Sequence, residues 1–217
     1  MASRTAILVG ATGLVGGHVL KLLIERYEIV VVLGRRSVGR MGARVVEYLI
    51  DFDDIRPQPE QLRGDDFFCC LGTTIRAAGS REAFRKVDHD YVVELARRAQ
   101  EFRTRRFFLV SALGADAGSL IFYNRVKGEV EEAVGDLPFR AVHIVRPSLL
   151  LGERAESRPT ERAGQWLSRL AAPLLVGPLA RYKAIEAADV AAALVACADS
   201  DEPGIHIHYP AQRKASA

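Results

Sequence analysis

The 217-residue chain has little of what marks several protein classes: it contains three cysteines, two methionines and one tryptophan. Cys69 and Cys70 are adjacent in the run FFCCLG, so the cysteines form neither an even disulfide framework nor a metal-binding pattern. We expect buried thiols in a reducing compartment. No run of about 18 apolar residues suggests a membrane helix, and MASRTAILVG is too short an apolar start for a secretory signal. These absences predict a cytoplasmic protein without a membrane span.

The chain also lacks a block of charge of one sign. Its 30 Lys and Arg and 27 Asp and Glu are scattered and give a net charge of +3, so no nucleic-acid or membrane partner is indicated. None of the five histidines has metal-ligand spacing with a carboxylate or a thiol, and no metal site is expected. A composition of 49% hydrophobic and 26% charged residues is typical of globular proteins, and the length fits one domain over residues 1–217.

Short apolar runs alternate with segments of helical period. Rich in β-branched and aromatic residues and apolar at nearly every position, the runs are typical of parallel strands buried on both faces. They are TAILVG, EIVVVLG, RVVEYLI, DFFCCLG, RFFLVSA and RAVHIVR, with GIHIHYP as a last strand. The pattern predicts an α/β protein with a doubly wound, mostly parallel Rossmann-like sheet. Residues from about 147 to 217 are expected to form a small C-terminal lobe. Its alanine-rich segment 187–198 would let a helix approach the sheet or a second subunit closely.

The first predicted strand is followed by a glycine-rich turn. VGATGLVGG places Gly10, Gly13 and Gly16 three residues apart, directly before a predicted helix. In a dinucleotide-binding turn, these glycines permit the tight turn, the approach of the backbone to a pyrophosphate and the close packing of helix on strand. The helix N-terminus offers free N–H groups to the anion. The alternative is a connection that needs glycine for packing alone.

The second predicted strand ends in VVVLGRRS, with Arg35 and Arg36 where an NAD-specific site typically has an acidic residue. Arginines here suit the 2′-phosphate of NADP(H), and a charge-assisted hydrogen bond contributes about 1.5–3 kcal/mol. We therefore predict NADP(H) as the cofactor. The alternative is two solvated arginines at a strand end.

Tyr123 and Lys127 lie one turn apart on one face of a predicted helix, in the run IFYNRVKGEVEEAV. A nearby ammonium favours the phenolate, so the tyrosine could exchange a proton with a substrate oxygen. Ser111 ends the fifth predicted strand, at the sheet edge where open α/β sheets bind ligands, and could orient that oxygen. A structural hydroxyl is the alternative for Ser111.

These motifs together resemble the short-chain dehydrogenase/reductase superfamily in its extended or atypical form. LGRR, FCCLGTT, YNRVKGEVE and RPSLLLGERAESRP are similar to the Tat-interacting-protein branch and its bacterial relatives. The resemblance implies Tyr123 as the acid/base and Lys127 as a ligand of the nicotinamide ribose. It implies further cofactor contacts along the chain: Thr12, Gly13, Leu14 and Val15 at the pyrophosphate, Arg35 and Arg36 at the 2′-phosphate, Asp51 and Phe52 at the adenine, Leu71, Gly72 and Thr73 at the ribose, and Pro147, Ser148, Leu150 and Arg158 around the nicotinamide.

The sequence departs from this pattern at two positions near the predicted site. Ala112 stands where many relatives have a second serine, and Asp88 where extended relatives often have an asparagine. The Asp88 carboxylate would either reach Lys127 through water or face solvent. The chain is also shorter than a typical extended reductase, whose C-terminal residues build a substrate pocket.

Two functions follow as hypotheses. The first is an NADP(H)-dependent oxidoreductase acting on a small carbonyl or alcohol, which the sequence does not separate from an epimerase or a dehydratase that uses the cofactor transiently. The second is a non-catalytic NADP(H)-binding regulatory protein that reports the nucleotide state to a protein partner. A homodimer is compatible with either function.

Overall fold

A computed structural model describes residues 4–55, 62–151 and 184–210. Its main sheet has seven strands in the order β3-β2-β1-β4-β5-β6-β9, all paired in parallel. The strands are β1 Thr5–Val9, β2 Ile29–Gly34, β3 Val45–Leu49, β4 Asp66–Cys69, β5 Arg106–Val110, β6 Ala141–Val145 and β9 Gly204–His208. The predicted doubly wound, parallel Rossmann-like sheet is confirmed.

Helices connect these strands and cover both faces of the sheet. They are α1 Leu14–Arg26, α2 Ile75–Ala78, α3 Arg81–Arg85, α4 Tyr91–Glu101, α5 Phe122–Gly135 and α6 Ala187–Ala196. A π-helical turn, Lys86–Asp90, joins α3 to α4, and a 3₁₀ turn, Cys197–Asp199, follows α6. Within the described residues, no helix has the length and apolar character needed to cross a membrane.

The strands are apolar at successive positions because each face of the sheet has its own core. In β1, Ala6 and Leu8 pack with residues of α1 and α6, whereas Ile7 and Val9 pack with residues of α4 and α5. Successive side chains of a strand point to opposite faces. A sheet with both faces covered therefore needs the near-continuous hydrophobic runs seen in the sequence.

The amino-terminal edge of the sheet contains a buried charged network. The Asp66 carboxylate accepts hydrogen bonds from the Arg106 guanidinium at 2.6 and 2.7 Å and from the Tyr27 hydroxyl at 2.6 Å. Arg106 also donates to the carbonyl oxygens of Ala198 and Ser200, at 3.2 and 2.7 Å. The network therefore ties α1, β4 and β5 to the segment that leads into β9.

The predicted C-terminal lobe is described only in part. Residues 152–183, which include Arg158, lie outside the described residues. Of the remainder, α6 and β9 belong to the layers of the main sheet, while β7 Leu150–Leu151 and β8 Ile185–Glu186 pair as a separate two-stranded sheet. The limits of the lobe stay a prediction.

Candidate functional site

The glycine turn shows why glycine is needed at two of its positions. Gly10 has φ +85°, and a Cβ there would lie 2.5 Å from the carbonyl oxygen of Cys70. A Cβ on Gly16 would lie 2.1 Å from the carbonyl oxygen of Gly10. The turn therefore holds the N-terminus of α1 directly against the ends of β1 and β4, an approach that only glycine allows.

The same turn presents the start of α1 without a side-chain cap. Gly13 is the N-cap residue, its N–H donates to the Gly10 carbonyl at 2.9 Å, and the first turn of the helix has no acidic residue. Thr12 and Gly13 are exposed, Leu14 is half-buried and Val15 is buried. The positive end of the helix dipole therefore lies beside exposed backbone, which is the arrangement that binds anions.

The arginine pair follows β2 at the same edge of the sheet. Arg35 and Arg36 are both exposed. Glu47 of β3 holds the loop that follows them, since its carboxylate accepts from the Ser37 hydroxyl and from the Val38 N–H, each at 2.6 Å. The two guanidinium groups thus extend from an anchored loop, where they are available to a ligand.

The residues predicted around the adenine differ in exposure. Asp51 is exposed, and its carboxylate accepts from the Asp53 N–H at 2.9 Å. Phe52 is buried, and its ring stacks on Tyr91 with a centroid distance of 5.5 Å. The Phe52 ring is therefore part of the core, so a direct contact with a ligand would come from its backbone or its ring edge.

The segment after β4 passes beside a buried ion pair. The Lys127 Nζ lies 2.7 Å from Asp88 Oδ1, and the other Asp88 oxygen accepts the Thr73 N–H at 2.8 Å. A Cβ on the exposed Gly72 would lie 3.5 Å from Asp88 and 3.9 Å from Lys127. Leu71, Gly72 and Thr73 therefore lie between this ion pair and solvent.

Asp88 reaches Lys127 directly, so neither of the alternatives drawn from the sequence is correct. It occupies the π-helical turn Lys86–Asp90, and both side chains are almost fully buried, with relative exposures of 1% for Asp88 and 4% for Lys127. Interruptions of this kind in a helix often occur at functional sites. The π-helical turn was not predicted, because the segment REAFRKVDHDYVVELARRAQ has the hydrophobic spacing of an ordinary α-helix.

Tyr123 lies in the first turn of α5, four residues before Lys127. Its ring packs on the fully buried Phe84 with a centroid distance of 5.3 Å. Within the described residues the phenol has no hydrogen-bond partner. Burial raises the pKa of Tyr123; the Lys127 ammonium opposes this effect, and the Asp88 carboxylate adds to it. The expected lowering by Lys127 is present but is outweighed, so the phenol is protonated at neutral pH.

The ion pair fixes the charge of Lys127. Burial alone would lower the pKa of Lys127, but the Asp88 carboxylate and, after it, the Tyr123 phenol raise it above its ordinary value. The ammonium is therefore charged throughout the neutral pH range. A buried charge of this kind requires its partner, because an unpaired one is strongly unfavourable.

Ser111 lies at the end of β5, as predicted, but its hydroxyl faces a second buried ion pair. It donates a short hydrogen bond to Glu131 of α5, and Glu131 also accepts from Arg146 Nη2 at 2.5 Å. Ser111 and Glu131 are both buried. The hydroxyl proton thus points to the Glu131 carboxylate. This orientation fits a structural hydroxyl better than one that contacts a substrate. The catalytic role of Ser111 stays a prediction.

The chain after β6 supplies the last predicted contacts. Pro147 is buried, and its carbonyl accepts the Leu113 N–H at 2.7 Å, which ties this segment to the loop after β5. Ser148 and Leu150 follow and are half-buried. Pro147 thus joins the residues that follow β1 to β5 at one edge of the sheet, because the strands are parallel.

Gly128 holds the loop after β5 against α5. A Cβ at this position would lie 2.0 Å from the nitrogen of Ala117 and 2.2 Å from the carbonyl carbon of Asp116. The Asp116 N–H donates to the carbonyl oxygen of Asn124 at 3.1 Å. The glycine beside Lys127 therefore sets how closely this loop approaches the helix that carries Tyr123.

The parallel sheet, its strand order and the glycine turn define a Rossmann-type protein of the NAD(P)-binding class. Comparison with solved structures supports this fold. MoeE5 in complex with UDP-glucose and NAD matches with a TM-score of 0.71 at 17% identity, over 94% of this chain and 74% of that chain. Human epimerase family protein SDR39U1 with NADPH matches with a TM-score of 0.63 at 17% identity, over 94% of this chain and 74% of that one.

Sequence relatives give the family. Rat protein HTATIP2 is 37% identical over 175 residues, which is 78% of this chain and 70% of the relative. Protein fmp52, mitochondrial, of Aspergillus fumigatus is 39% identical over 173 residues, 76% of this chain and 74% of the relative. No family model matches the chain. The chain belongs to the HTATIP2 and Fmp52 family, a branch of the atypical short-chain dehydrogenase/reductases.

These relatives correct the predicted cytoplasmic location. The fungal relatives of Aspergillus fumigatus, Aspergillus clavatus and Eremothecium gossypii are all named mitochondrial, which contradicts the cytoplasmic prediction. The prediction was wrong because it tested for an apolar secretory leader, whereas mitochondrial targeting segments are amphipathic and rich in arginine.

Proposed function

We propose that this protein is an NADP(H)-dependent oxidoreductase that acts on a small carbonyl or alcohol substrate. The observation that carries the proposal is the Tyr123 phenol, held one helical turn from the buried Lys127–Asp88 pair. This group lies at the sheet edge where the glycine turn also lies. A protonated phenol at that edge, with no partner among the described residues, is suited to exchange a proton with a substrate oxygen.

The residues divide the chemistry between them. A bound nicotinamide would supply a hydride to a carbonyl carbon, or accept one from an alcohol. Tyr123 would donate its hydroxyl proton to the carbonyl oxygen during reduction and take it back during oxidation. The Lys127 ammonium would stabilise the transient phenolate, and Asp88 would keep that ammonium charged and in place. The scheme does not require Ser111, whose hydroxyl donates to Glu131.

The proposed cofactor contacts lie in two regions of the edge. The backbone of Gly10, Thr12, Gly13 and the first turn of α1 would bind the pyrophosphate. Arg35 and Arg36 would bind a 2′-phosphate, which makes NADP(H) the preferred cofactor. Among similar folds, SDR39U1 was solved with NADPH and MoeE5 with NAD, so the preference in this chain depends on its own arginines.

Replacing Tyr123 with Phe tests the acid/base role. The variant should bind NADPH as the parent does, while turnover of an active carbonyl substrate falls by about 10²–10⁴-fold, the typical contribution of a positioned acid. Tyr48→Phe, a change of the same kind on β3, serves as the control and should keep full turnover. Equal turnover in Tyr123→Phe and the parent would exclude the role.

Cofactor preference is tested separately with Arg35→Ala and Arg36→Ala. Each variant should bind NADPH about tenfold or more weakly, as expected for the loss of a charge-assisted hydrogen bond, and should bind NADH unchanged. Arg40→Ala, an exposed arginine in the same loop, is the matched control. A parent protein that binds NADH and NADPH equally would contradict the proposed preference.

A second function, a non-catalytic NADP(H)-binding regulator, is favoured by one observation. Ala112 has no hydroxyl that could orient a substrate oxygen, and the Ser111 hydroxyl already donates to Glu131. Such a protein would bind NADPH and change its affinity for a protein partner without consuming the nucleotide. If the purified protein oxidises NADPH in the presence of a substrate and Tyr123→Phe does not, the protein is an enzyme. NADPH binding without turnover across a broad carbonyl panel would decide for the regulator.

A further inference from the structure

A group of histidines lies on the face of the sheet that α1 and α6 cover, apart from the residues assigned to the cofactor. His143 of β6 stands opposite His206 of β9 in the parallel register, and His208 stands opposite Val145. His143 is buried and packs between the ring of Phe108, at 5.1 Å, and the ring of His206, at 4.9 Å. Cys197, the first residue after α6, completes the group.

Three of these side chains bring potential metal ligands together. His143 Nδ1 and His208 Nε2 are 3.1 Å apart. Together with the Cys197 sulfur, one ligand atom from each residue lies within 4.8 Å of the other two. Zinc binds imidazole nitrogen at about 2.0–2.1 Å and thiolate sulfur at about 2.3 Å. A tetrahedral site with these bond lengths has ligand separations of about 3.3–3.6 Å. The two nitrogens, at 3.1 Å, would move slightly apart, and the longer separations, of up to 4.8 Å, would shorten.

We propose that His143, His208 and Cys197 bind a divalent cation of the zinc type. Two imidazoles and one thiolate are ligands that a borderline-soft cation prefers over the hard cations magnesium and calcium. Three protein ligands leave the fourth position of a tetrahedral site to water or to another ligand. The site requires none of the residues assigned to the cofactor, so it is independent of the proposed oxidoreductase function.

The His143 ring makes one polar contact within the described part of the chain, between its Nδ1 and His208 Nε2, while its buried Nε2 has no hydrogen-bond partner there. The proposed ligand atom Nδ1 is therefore not bound to a backbone or carboxylate group among these residues, and the only atom it contacts belongs to another proposed ligand.

Binding would require the thiol to lose its proton. Burial raises the pKa of Cys197 to about 11, and its sulfur lies 3.2 Å from the Ala193 carbonyl oxygen as a weak donor. The cation would replace that proton: the sulfur–hydrogen bond breaks, a metal–sulfur bond forms and one proton passes to solvent. His206 is the natural control, because its Nε2 already contacts the Glu202 carbonyl oxygen at 3.0 Å.

The test is metal titration of the full-length protein after treatment with a chelator. Zn²⁺ binding is measured by calorimetry, and Co²⁺, as a spectroscopic substitute, reports a thiolate ligand by its charge-transfer absorption. The parent should bind one equivalent. Cys197→Ala and His208→Gln should each weaken binding on the order of a hundredfold, and Cys197→Ala should remove the charge-transfer band. His206→Gln should bind as the parent does.

Circular dichroism establishes that each variant is folded. The substitutions are made at Cys197 and His208, which are partly exposed, and the fully buried His143 is left unchanged. Zn²⁺ affinity that is the same in Cys197→Ala, His208→Gln and the parent would overturn the proposal. A parent that binds neither cation would overturn it as well.

Discussion

The Ser111 hydroxyl and the Tyr123 phenol lie in different polar environments, although both were expected to contact one substrate oxygen. Ser111 donates to Glu131, which is itself paired with Arg146. Tyr123 lies beside the Lys127–Asp88 pair. The two ion pairs are one turn apart on α5, since Lys127 and Glu131 are four residues apart. The helix therefore presents one pair to the predicted site and uses the other to fix the end of β5.

Ser111→Ala should lower stability more than it lowers turnover. Loss of a hydrogen bond to a charged group should reduce the free energy of unfolding by about 1.5–3 kcal/mol. Turnover should stay within about threefold of the parent, whereas removal of a hydroxyl that polarises the reacting carbonyl would lower it about 10²–10³-fold. Urea unfolding and steady-state rates measure both effects, with Ser119→Ala as the control. A hundredfold loss of turnover in a stable variant would restore the catalytic assignment.

Asp88→Asn should shift the pH dependence of carbonyl reduction. Without the Asp88 carboxylate, burial would lower the pKa of Lys127, and the ammonium would lose the proton whose charge opposes burial at Tyr123. Lys127 influences the pKa of Tyr123 more than Asp88 does, so the loss of both charges should raise that pKa. Reduction needs the protonated phenol and is lost as the pH rises through this pKa, so the basic limb of kcat/KM should move to higher pH. Asp90→Asn, an exposed change in the same π-helical turn, should leave the limb in place. An unchanged limb in Asp88→Asn would show that Asp88 does not influence the phenol.

The parts of the candidate site that the sequence indicates are the local ones. The glycines of the first turn and the Tyr123–Lys127 pair depend on neighbours within a few positions, and the sequence contains that information. The Asp88–Lys127 pair, the Ser111–Glu131 bond and the approach of Cys197 to His143 join residues far apart in the chain. Their geometry depends on how the helices pack on the sheet, which local spacing does not determine.

Among the connecting elements, the loop after β5 and helix α5 form one packed unit. Gly128 allows this contact because a Cβ on any other residue at this position would overlap the nitrogen of Ala117. The two neighbouring residues on the helix, Lys127 and Glu129, bind Asp88 and Arg85 respectively. A shift of the loop would therefore also displace α5 from the helical segment that contains the π-helical turn.

Gly128→Ala should destabilise the protein strongly. The backbone atoms at 2.0 and 2.2 Å must move to admit a methyl group, and overpacking of this kind lowers stability by about 1–3 kcal/mol or more. Gly17→Ala in α1 is the matched control, because its Cβ would meet only the Ala11 carbonyl at 3.5 Å. The control should be neutral or stabilising by up to about 1 kcal/mol, owing to the better helix propensity of alanine. Equal stability of the two variants, measured by urea unfolding, would contradict this account.

The strands were easier to predict than their order. Each apolar run from TAILVG to RAVHIVR became a strand. For all of them except the edge strand β3, which is partly exposed, the near-continuous apolar run reflects burial on both faces of the sheet. The position of β9 beside β6 was not visible, because it depends on the path of the chain between them. Neither was the π-helical turn between α3 and α4, because the helical period continues through the segment REAFRKVDHDYVVELARRAQ.

Over the whole molecule, the two edges of the sheet have different polar contents. The carboxyl edge has the glycine turn, the exposed arginines and the Tyr123 phenol. The amino edge has the Asp66 network, in which Arg106 and Asp66 are both buried. Burial, then the Asp66 charge, raises the pKa of Tyr27 far above its ordinary value, so this hydroxyl stays a donor. Stability and the proposed cofactor site therefore depend on separate groups of charges.

Asp66→Asn should lower stability without changing cofactor affinity. The substitution leaves the buried Arg106 without a counter-charge, and breaking a buried pair in this way lowers the free energy of unfolding by about 3–5 kcal/mol. The folded fraction should still bind NADPH with the parent's dissociation constant, because the glycine turn and the arginine loop lie at the other edge of the sheet.

Asp65→Asn is the control. The Asp65 carboxylate accepts a hydrogen bond from the Thr5 N–H at 2.9 Å, and its replacement should lower stability by about 1 kcal/mol. Urea unfolding and a fluorescence titration with NADPH measure the two quantities. A tenfold weaker NADPH affinity in folded Asp66→Asn would show that the two edges are energetically coupled, and would contradict the separation argued from the parallel sheet.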